Sequence, residues 1–175
     1  MNVIDKFLPG DVYVKIWNHL QTLQIPLECP SDEEDHQGLT NCERFAIQED
    51  IKTLFANELI RGSICKNNPK FEMTYHKMKS PYWSYFHCDR LSDWYSNNID
   101  FVGITFFMNE SWHHNDGGLF VWKRSWNIDQ GEYLEPIQNR LIVNTYDYPH
   151  AVTQITNPIV IRHSIQIFIA KEFVL

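Results

Sequence analysis

No stretch of this 175-residue chain reaches the roughly 18 consecutive apolar residues that a membrane-spanning helix needs. The longest β-rich run, Ile159 to Ala170, is broken by Arg162, His163, Ser164 and Gln166, so no membrane association is expected. The first residues, Met1-Asn2-Val3-Ile4-Asp5-Lys6, lack the apolar core of a secretion signal, and a soluble, cytoplasmic protein is the expectation. Cysteine chemistry is poorly provided for: Cys29, Cys42, Cys65 and Cys88 form no CxxC pair, so reduced thiols are expected rather than disulfides or a thiolate zinc site. Positive charge is also short. Lys plus Arg number 15 against 22 Asp plus Glu, a net charge of −7, and no basic block is present to neutralise phosphates, which removes nucleic acid from the expected partners. With 7 Gly, 8 Pro and no internal repeat or linker, the chain is neither low-complexity nor disordered. What it does have is 43% hydrophobic and 14% aromatic residues, with 8 His and 6 Trp, in a length that suits one domain over residues 1–175.

Two helices are expected in the first 68 residues. From Asp11 to about Leu23, the residues Tyr13, Ile16, Trp17, Leu20 and Leu23 recur at three and four, the period of one helix face. A second helix is expected to start at Thr40-Asn41-Cys42-Glu43, a capping-box pattern, and to bury Phe45, Ile47, Ile51, Leu54, Phe55 and Leu59. The acidic stretch Glu28 to Asp35 between them has no apolar period and reads as a solvated loop. From residue 69 onward the texture changes to β-branched and aromatic runs parted by turn residues. The runs are Phe71–Lys77, Tyr82–Asp89, Phe101–Met108, Leu119–Lys123, Arg140–Thr145, Ala151–Ile155 and Ile159–Phe173. Such a chain is mostly β with N-terminal helices, an α+β protein built as a sandwich or jelly roll with the helices packed on one outer face.

The last run separates its two faces by alternation. Ile161, His163, Ile165, Ile167 and Ile169 point one way and suit a face packed under the helices; Arg162, Ser164, Gln166 and Phe168 point into the barrel. A buried guanidinium is costly unless something anionic meets it. Elsewhere, His87-Cys88-Asp89 would present an imidazole and a carboxylate on one side of a strand, with Cys88 facing away. The tripeptide alone is weak evidence, and His114-Asn115-Asp116 is a rival, although Gly117-Gly118 places that rival in a turn. His150, held by the Tyr148-Pro149 step, is the candidate third ligand. Two histidines and one carboxylate that leave open positions are the donor set of non-haem Fe(II) oxygenases. Arg162, with Ser164 beside it, has the rigid fork that suits a ligand carboxylate.

These residues carry a resemblance. The order His87-x-Asp89, Phe107-Met108-Asn109, Asp116-Gly117-Gly118-Leu119, Pro149-His150-x-Val152 and Arg162-x-Ser164 resembles the 2-oxoglutarate/Fe(II) dioxygenases, especially their prolyl-hydroxylase-like branch, over roughly residues 70 to 172. The resemblance implies a double-stranded β-helix, with helical support from residues 1–68 packed on the major sheet of a core from 69–175. It implies iron held by His87, Asp89 and His150, and 2-oxoglutarate whose distal carboxylate is held by Arg162 and Ser164. It implies a tyrosine before the first iron ligand touching the co-substrate, for which Tyr75 is the nearest candidate and Tyr82 or Tyr85 the substitutes. Phe107 stands where some relatives carry a tyrosine hydroxyl. The activity implied is hydroxylation of an unactivated C–H using O2, with ascorbate as a supporting reductant and 2-oxoglutarate converted to succinate and carbon dioxide. The substrate implied is a prolyl residue in a peptide or protein. A free amino acid or small metabolite is the alternative, and a non-catalytic, metal-containing jelly-roll binding module is the rival from another class.

Overall fold

The computed structural model describes residues 1–27, 41–89 and 99–175. Two antiparallel sheets face each other. The larger has six strands in the order β1 (Asn2–Asp5), β7 (Arg140–Asn144), β4 (Phe101–Phe107), β9 (Ile161–Ala170), β3 (Phe71–Lys79) and β2 (Cys42–Ala46). The smaller orders β6 (Glu132–Leu134), β5 (Phe120–Trp122) and β8 (His150–Val152). Helices α1 (Gly10–Thr22) and α2 (Glu49–Arg61) supply Ile16, Leu20, Phe55 and Leu59 to one core with Ile165, Ile167 and Ile169 of β9. All seven of these side chains are fully buried, and each contributes on the order of 1.5–3 kcal/mol of transfer free energy. The isoleucine face of the last strand therefore packs under the helices as its alternation requires. Among the described residues, no helix is long and apolar enough to cross a membrane.

Two expectations for local structure are corrected. The second helix begins at Glu49, and Cys42–Ala46 is the edge strand β2, paired in register with β3 from Cys42↔Met78 to Ala46↔Thr74. Glu43 reaches across that pairing to Lys79 at 3.3 Å instead of folding back as a capping-box residue. The ladder satisfies the backbone of this segment and seats Phe45 against Tyr75, which outweighs a local capping pattern. The expected strand Tyr82–Asp89 is an irregular strap joined to β8 by the bridge His87↔His150 and by the Ser84 N–H to the Val152 carbonyl. The first 68 residues thus supply two strands as well as helices. Thr40, Cys29 and the acidic stretch Glu28 to Asp35 lie outside the described residues, and no disulfide joins Cys42, Cys65 and Cys88 to one another.

On the helix side of β9, His163 stacks on Tyr75 at 5.9 Å, accepts or donates at Nδ1 to the Tyr75 hydroxyl, and meets the edge of Trp17 at 5.0 Å. Burial, aided by the Lys77 charge, lowers its pKa to about 4. The unfolded chain takes up this proton near pH 6.5, whereas the folded chain resists it until about pH 4. Stability is therefore full above pH 6.5 and falls on acidification across that window, by at most about 1.4 kcal/mol per pH unit from this residue. Melting temperatures measured between pH 7 and 4 should fall, and His163→Gln should fall less steeply than wild type.

Candidate active site

The register of the large sheet lays out the barrel interior as rungs about 6.5 Å apart. Met78 pairs with Arg162; His76 pairs with Ser164, opposite Phe107; Thr74 pairs with Gln166, opposite Thr105; Glu72 pairs with Phe168, opposite Gly103. All of these but Ser164, Phe107 and Gly103 line a cavity of about 750 Å³, together with His87, Asp89 and His150 from the strap and β8.

His87 and His150 are brought together by backbone pairing. Each donates its N–H to the other's carbonyl at 2.9 Å, and the two rings lie 4.5 Å apart. Their tautomers are set alike: Nδ1 of His87 donates to the Tyr85 carbonyl at 2.8 Å, and Nδ1 of His150 donates to the Tyr148 carbonyl at 3.0 Å. Both Nε2 atoms are turned to Asp89, whose Oδ1 is 3.4 Å from His150 and 3.9 Å from His87, and in the neutral rings these are the nitrogens that would offer a lone pair to a metal. The three ligand atoms all lie within 4.8 Å of one another. Two imidazole nitrogens and one carboxylate oxygen at this spacing are a donor set that would hold a single divalent cation. Asn144 braces the arrangement by bonding both Tyr148 N and Tyr148 O, and Phe120 stacks on the His150 ring at 5.2 Å.

The electrostatics suit a cation. Burial opposes ionisation of Asp89, but its hydrogen bond to His150 and the nearby imidazoles win and hold its carboxyl below the usual range. Burial and His150 lower the pKa of His87; for His150, burial is outweighed by the Asp89 hydrogen bond and charge, which raise it. The rival motif is spent elsewhere. His113 to Asp116 form a capped 3-10 turn in which Asp116 holds Asn157 at 2.8 Å, and His114 faces Glu135 at 3.9 Å.

The donor chemistry of the sequence gives no sign of Gly103, yet the position of Asp89 depends on it. A Cβ there would collide with the Asp89 carboxylate. An isolated glycine inside an otherwise β-branched and aromatic run is the sequence sign of such a close approach. Gly103→Ala should lower metal affinity by about 10–100-fold while leaving the fold intact, measured by competition with a chelator.

At the other end of the ladder lies Arg162, fully buried. Its Nη1 touches only Met78 Sδ, at 2.9 Å, and its guanidinium sits 4.9 Å over the Phe107 ring. Its Nε and Nη2, and Ser164 Oγ beside them, have no hydrogen-bond partner among the described residues. Burial lowers its pKa to about 10, so it remains a cation at neutral pH. A buried cation with two unspent donors and a neighbouring hydroxyl has the chemistry to accept a carboxylate.

Tyr75 is corrected. It pairs with Ile165 and lies fully buried on the helix side of β3, away from the cavity. Alternation hands the inward place to His76, and the buried Tyr82 lines the same cavity as Arg162. Burial, with the charges of Arg44 and Arg162, lowers the His76 pKa to about 3, keeping a neutral imidazole on the rung next to that of Arg162. Tyr85 is 58% exposed and serves through its carbonyl.

No family model and no curated protein matches this sequence. Solved structures do. A prolyl hydroxylase from Trichoplax adhaerens, in complex with a hypoxia-inducible-factor oxygen-degradation-domain peptide fragment, superposes with a TM-score of 0.68 at 14% identity, covering 98% of this chain and 83% of that one. HygX from Streptomyces hygroscopicus, with nickel and 2-oxoglutarate bound, gives 0.66 at 9% identity over 96% and 81%. A Pseudomonas putida prolyl-4-hydroxylase gives 0.62 at 16% identity over 97% and 91%. The fold is that of the 2-oxoglutarate/Fe(II) oxygenases. On this oxygenase fold, the two opposed sheets form the double-stranded β-helix, and the cavity between them is the one whose ends are marked by His87, Asp89 and His150 and by Arg162.

Proposed function

We propose that this chain is a single-domain Fe(II)- and 2-oxoglutarate-dependent dioxygenase that hydroxylates an unactivated C–H bond. The observation that carries the reading is the unpaired, fully buried Arg162 on the same cavity as the His87, Asp89 and His150 cluster. A purely structural arginine would have found a carboxylate within the protein, and a metal site alone has no use for a second, cationic pole.

His87, Asp89 and His150 would hold the iron through two imidazole nitrogens and a carboxylate, leaving the remaining positions for small molecules. Arg162 and Ser164 would hold the distal carboxylate of 2-oxoglutarate, with the Tyr82 hydroxyl and the neutral His76 imidazole as further polar contacts along its length. Bound iron and 2-oxoglutarate supply the oxidation: one atom of O2 enters succinate as carbon dioxide leaves the keto acid, and the other enters the substrate C–H to give C–OH. The protein's own contribution is position, charge and exclusion of water. Met78, Phe120 and Phe168 wall the cavity with apolar surface.

A prolyl residue of a peptide or protein is the preferred substrate, in line with the prolyl hydroxylases among the similar structures. HygX with hygromycin B bound shows the same fold with a small molecule, which is the alternative. The test is succinate formation from 2-oxoglutarate by the purified chain with Fe(II), ascorbate and O2. The expected result is slow substrate-independent turnover that needs iron. Tyr82→Phe should raise the KM for 2-oxoglutarate several-fold, and Tyr75→Phe should leave it unchanged.

A further inference from the structure

Met78 and Arg162 pair on one rung of the barrel, and both line the cavity. The Met78 sulfur lies 2.9 Å from Arg162 Nη1, so this fully buried guanidinium touches a thioether, which is only a weak acceptor. Arg162 Nε and Nη2, and Ser164 Oγ, have no hydrogen-bond partner among the described residues. A stronger acceptor carried on this sulfur would meet donors that are already desolvated.

One chemical step makes such an acceptor. The sulfur lone pair attacks one oxygen of hydrogen peroxide, and the S–O bond forms as the O–O bond breaks. The departing hydroxide takes the proton of the transferred oxygen and leaves as water; sulfur has lost two electrons and peroxide has gained them. The product, methionine sulfoxide, carries a strongly polar oxygen on a side chain flexible enough to turn it toward the guanidinium. We propose that Met78 is an oxidation site that regulates the co-substrate pocket: its sulfoxide oxygen takes the Arg162 donors and excludes the carboxylate of 2-oxoglutarate. The proposal rests on the oxygenase reading and adds control of the same site by an oxidant. A small oxidant has a route to Met78, because the cavity wall also includes Phe86 and Trp126, which are exposed to solvent. Held on the strand next to Arg162, the sulfoxide competes at an effective concentration on the order of millimolar, which dissolved 2-oxoglutarate must overcome. The metal cluster is spared. The rungs of His76 and Thr74 separate Met78 and Arg162 from the rung of Gly103, on which Asp89 rests.

The test treats the full-length chain with hydrogen peroxide, restores its thiols with dithiothreitol, removes both reagents and loads Zn(II), which fills the metal site without redox chemistry. Peptide mass mapping locates the added oxygen, and calorimetry reads the binding of Zn(II) and of 2-oxoglutarate. Met78 should gain one oxygen well before Met108, which is fully buried in the core under the helices. The oxidised wild type should bind 2-oxoglutarate about 10-fold or more weakly, with Zn(II) affinity unchanged. Met78→Leu should keep its own untreated 2-oxoglutarate affinity after peroxide. Met78→Gln, which puts a carbonyl oxygen near the place of the sulfoxide oxygen, should bind 2-oxoglutarate about 10-fold more weakly than Met78→Leu without any peroxide. The proposal is overturned if Met78 gains no oxygen, or if its oxidation leaves 2-oxoglutarate binding unchanged. An equal loss in treated Met78→Leu, or equal affinities of the two variants, overturns it as well. Loss of Zn(II) binding together with 2-oxoglutarate binding marks general damage and counts against it too. In all these cases the untreated wild type still binds 2-oxoglutarate, so the oxygenase reading stands. Failure of the untreated, Zn(II)-loaded wild type to bind 2-oxoglutarate sinks that reading and the proposal with it.

Discussion

Arg162→Met is expected to make the ligand-free protein more stable by about 1–3 kcal/mol and to weaken 2-oxoglutarate binding by about 100-fold or more. The two effects have opposite signs because they have different origins. In the ligand-free fold Arg162 is a fully buried cation whose Nε and Nη2 lack partners, and its desolvation is not recovered by the Met78 sulfur or the Phe107 ring. Methionine fills much of the same volume without charge. With 2-oxoglutarate present the order reverses: a carboxylate facing the guanidinium and Ser164 Oγ satisfies all the orphaned donors at once. Wild type should accordingly gain about 2.7 kcal/mol at a ligand concentration 100 times the dissociation constant, and Arg162→Met should gain nothing. Calorimetric melting of both proteins with and without 2-oxoglutarate, under anaerobic Fe(II), measures the whole cycle. A structural arginine would instead give loss of stability and little change in ligand response.

His87→Ala should abolish iron-dependent succinate formation, and His114→Ala should leave it near the wild-type level. His87 offers Nε2 to the cluster because its Nδ1 is committed to the Tyr85 carbonyl, and no other described imidazole can take its place beside Asp89 and His150. Removing one of three ligands from an open site costs metal affinity by orders of magnitude, whereas His114 contributes only an exposed contact with Glu135 at 3.9 Å. Metal content after dialysis separates the outcomes: His87→Ala should come through without iron, and His114→Ala should retain it. The reverse pattern would move the site to His114-Asn115-Asp116.

Much of this arrangement is legible in the residues, for physical reasons that differ from place to place. The alternation along β9 is strong because one face packs against two helices and the other against a cavity, so Arg162 and Ser164 fall inward whatever the neighbours do. His87, Asp89 and His150 are found through the chemistry of their types and order, even though the strap holding the first two is not a regular strand. Tyr75 fails by one residue. Side-chain direction in a strand reverses at every step, and only the pairing of β3 with β9 decides whether Tyr75 or His76 faces the cavity. The start of α2 fails because Thr40-x-x-Glu43 carries a local helix signal that a non-local ladder to β3 overrides. Gly103 carries its signal in the open, as a glycine amid apolar strand residues, but what it makes room for appears only when Asp89 arrives from another part of the chain.

The central claim is that one cavity binds iron and 2-oxoglutarate together. Anaerobic titration of the wild-type chain with Fe(II) and then 2-oxoglutarate, followed by visible absorption, tests it most directly. A weak charge-transfer band that appears only when both are present, is absent in His87→Ala, and in Arg162→Met needs about 100-fold more 2-oxoglutarate, is the expected result. Iron binding with no band at any 2-oxoglutarate concentration would contradict the account.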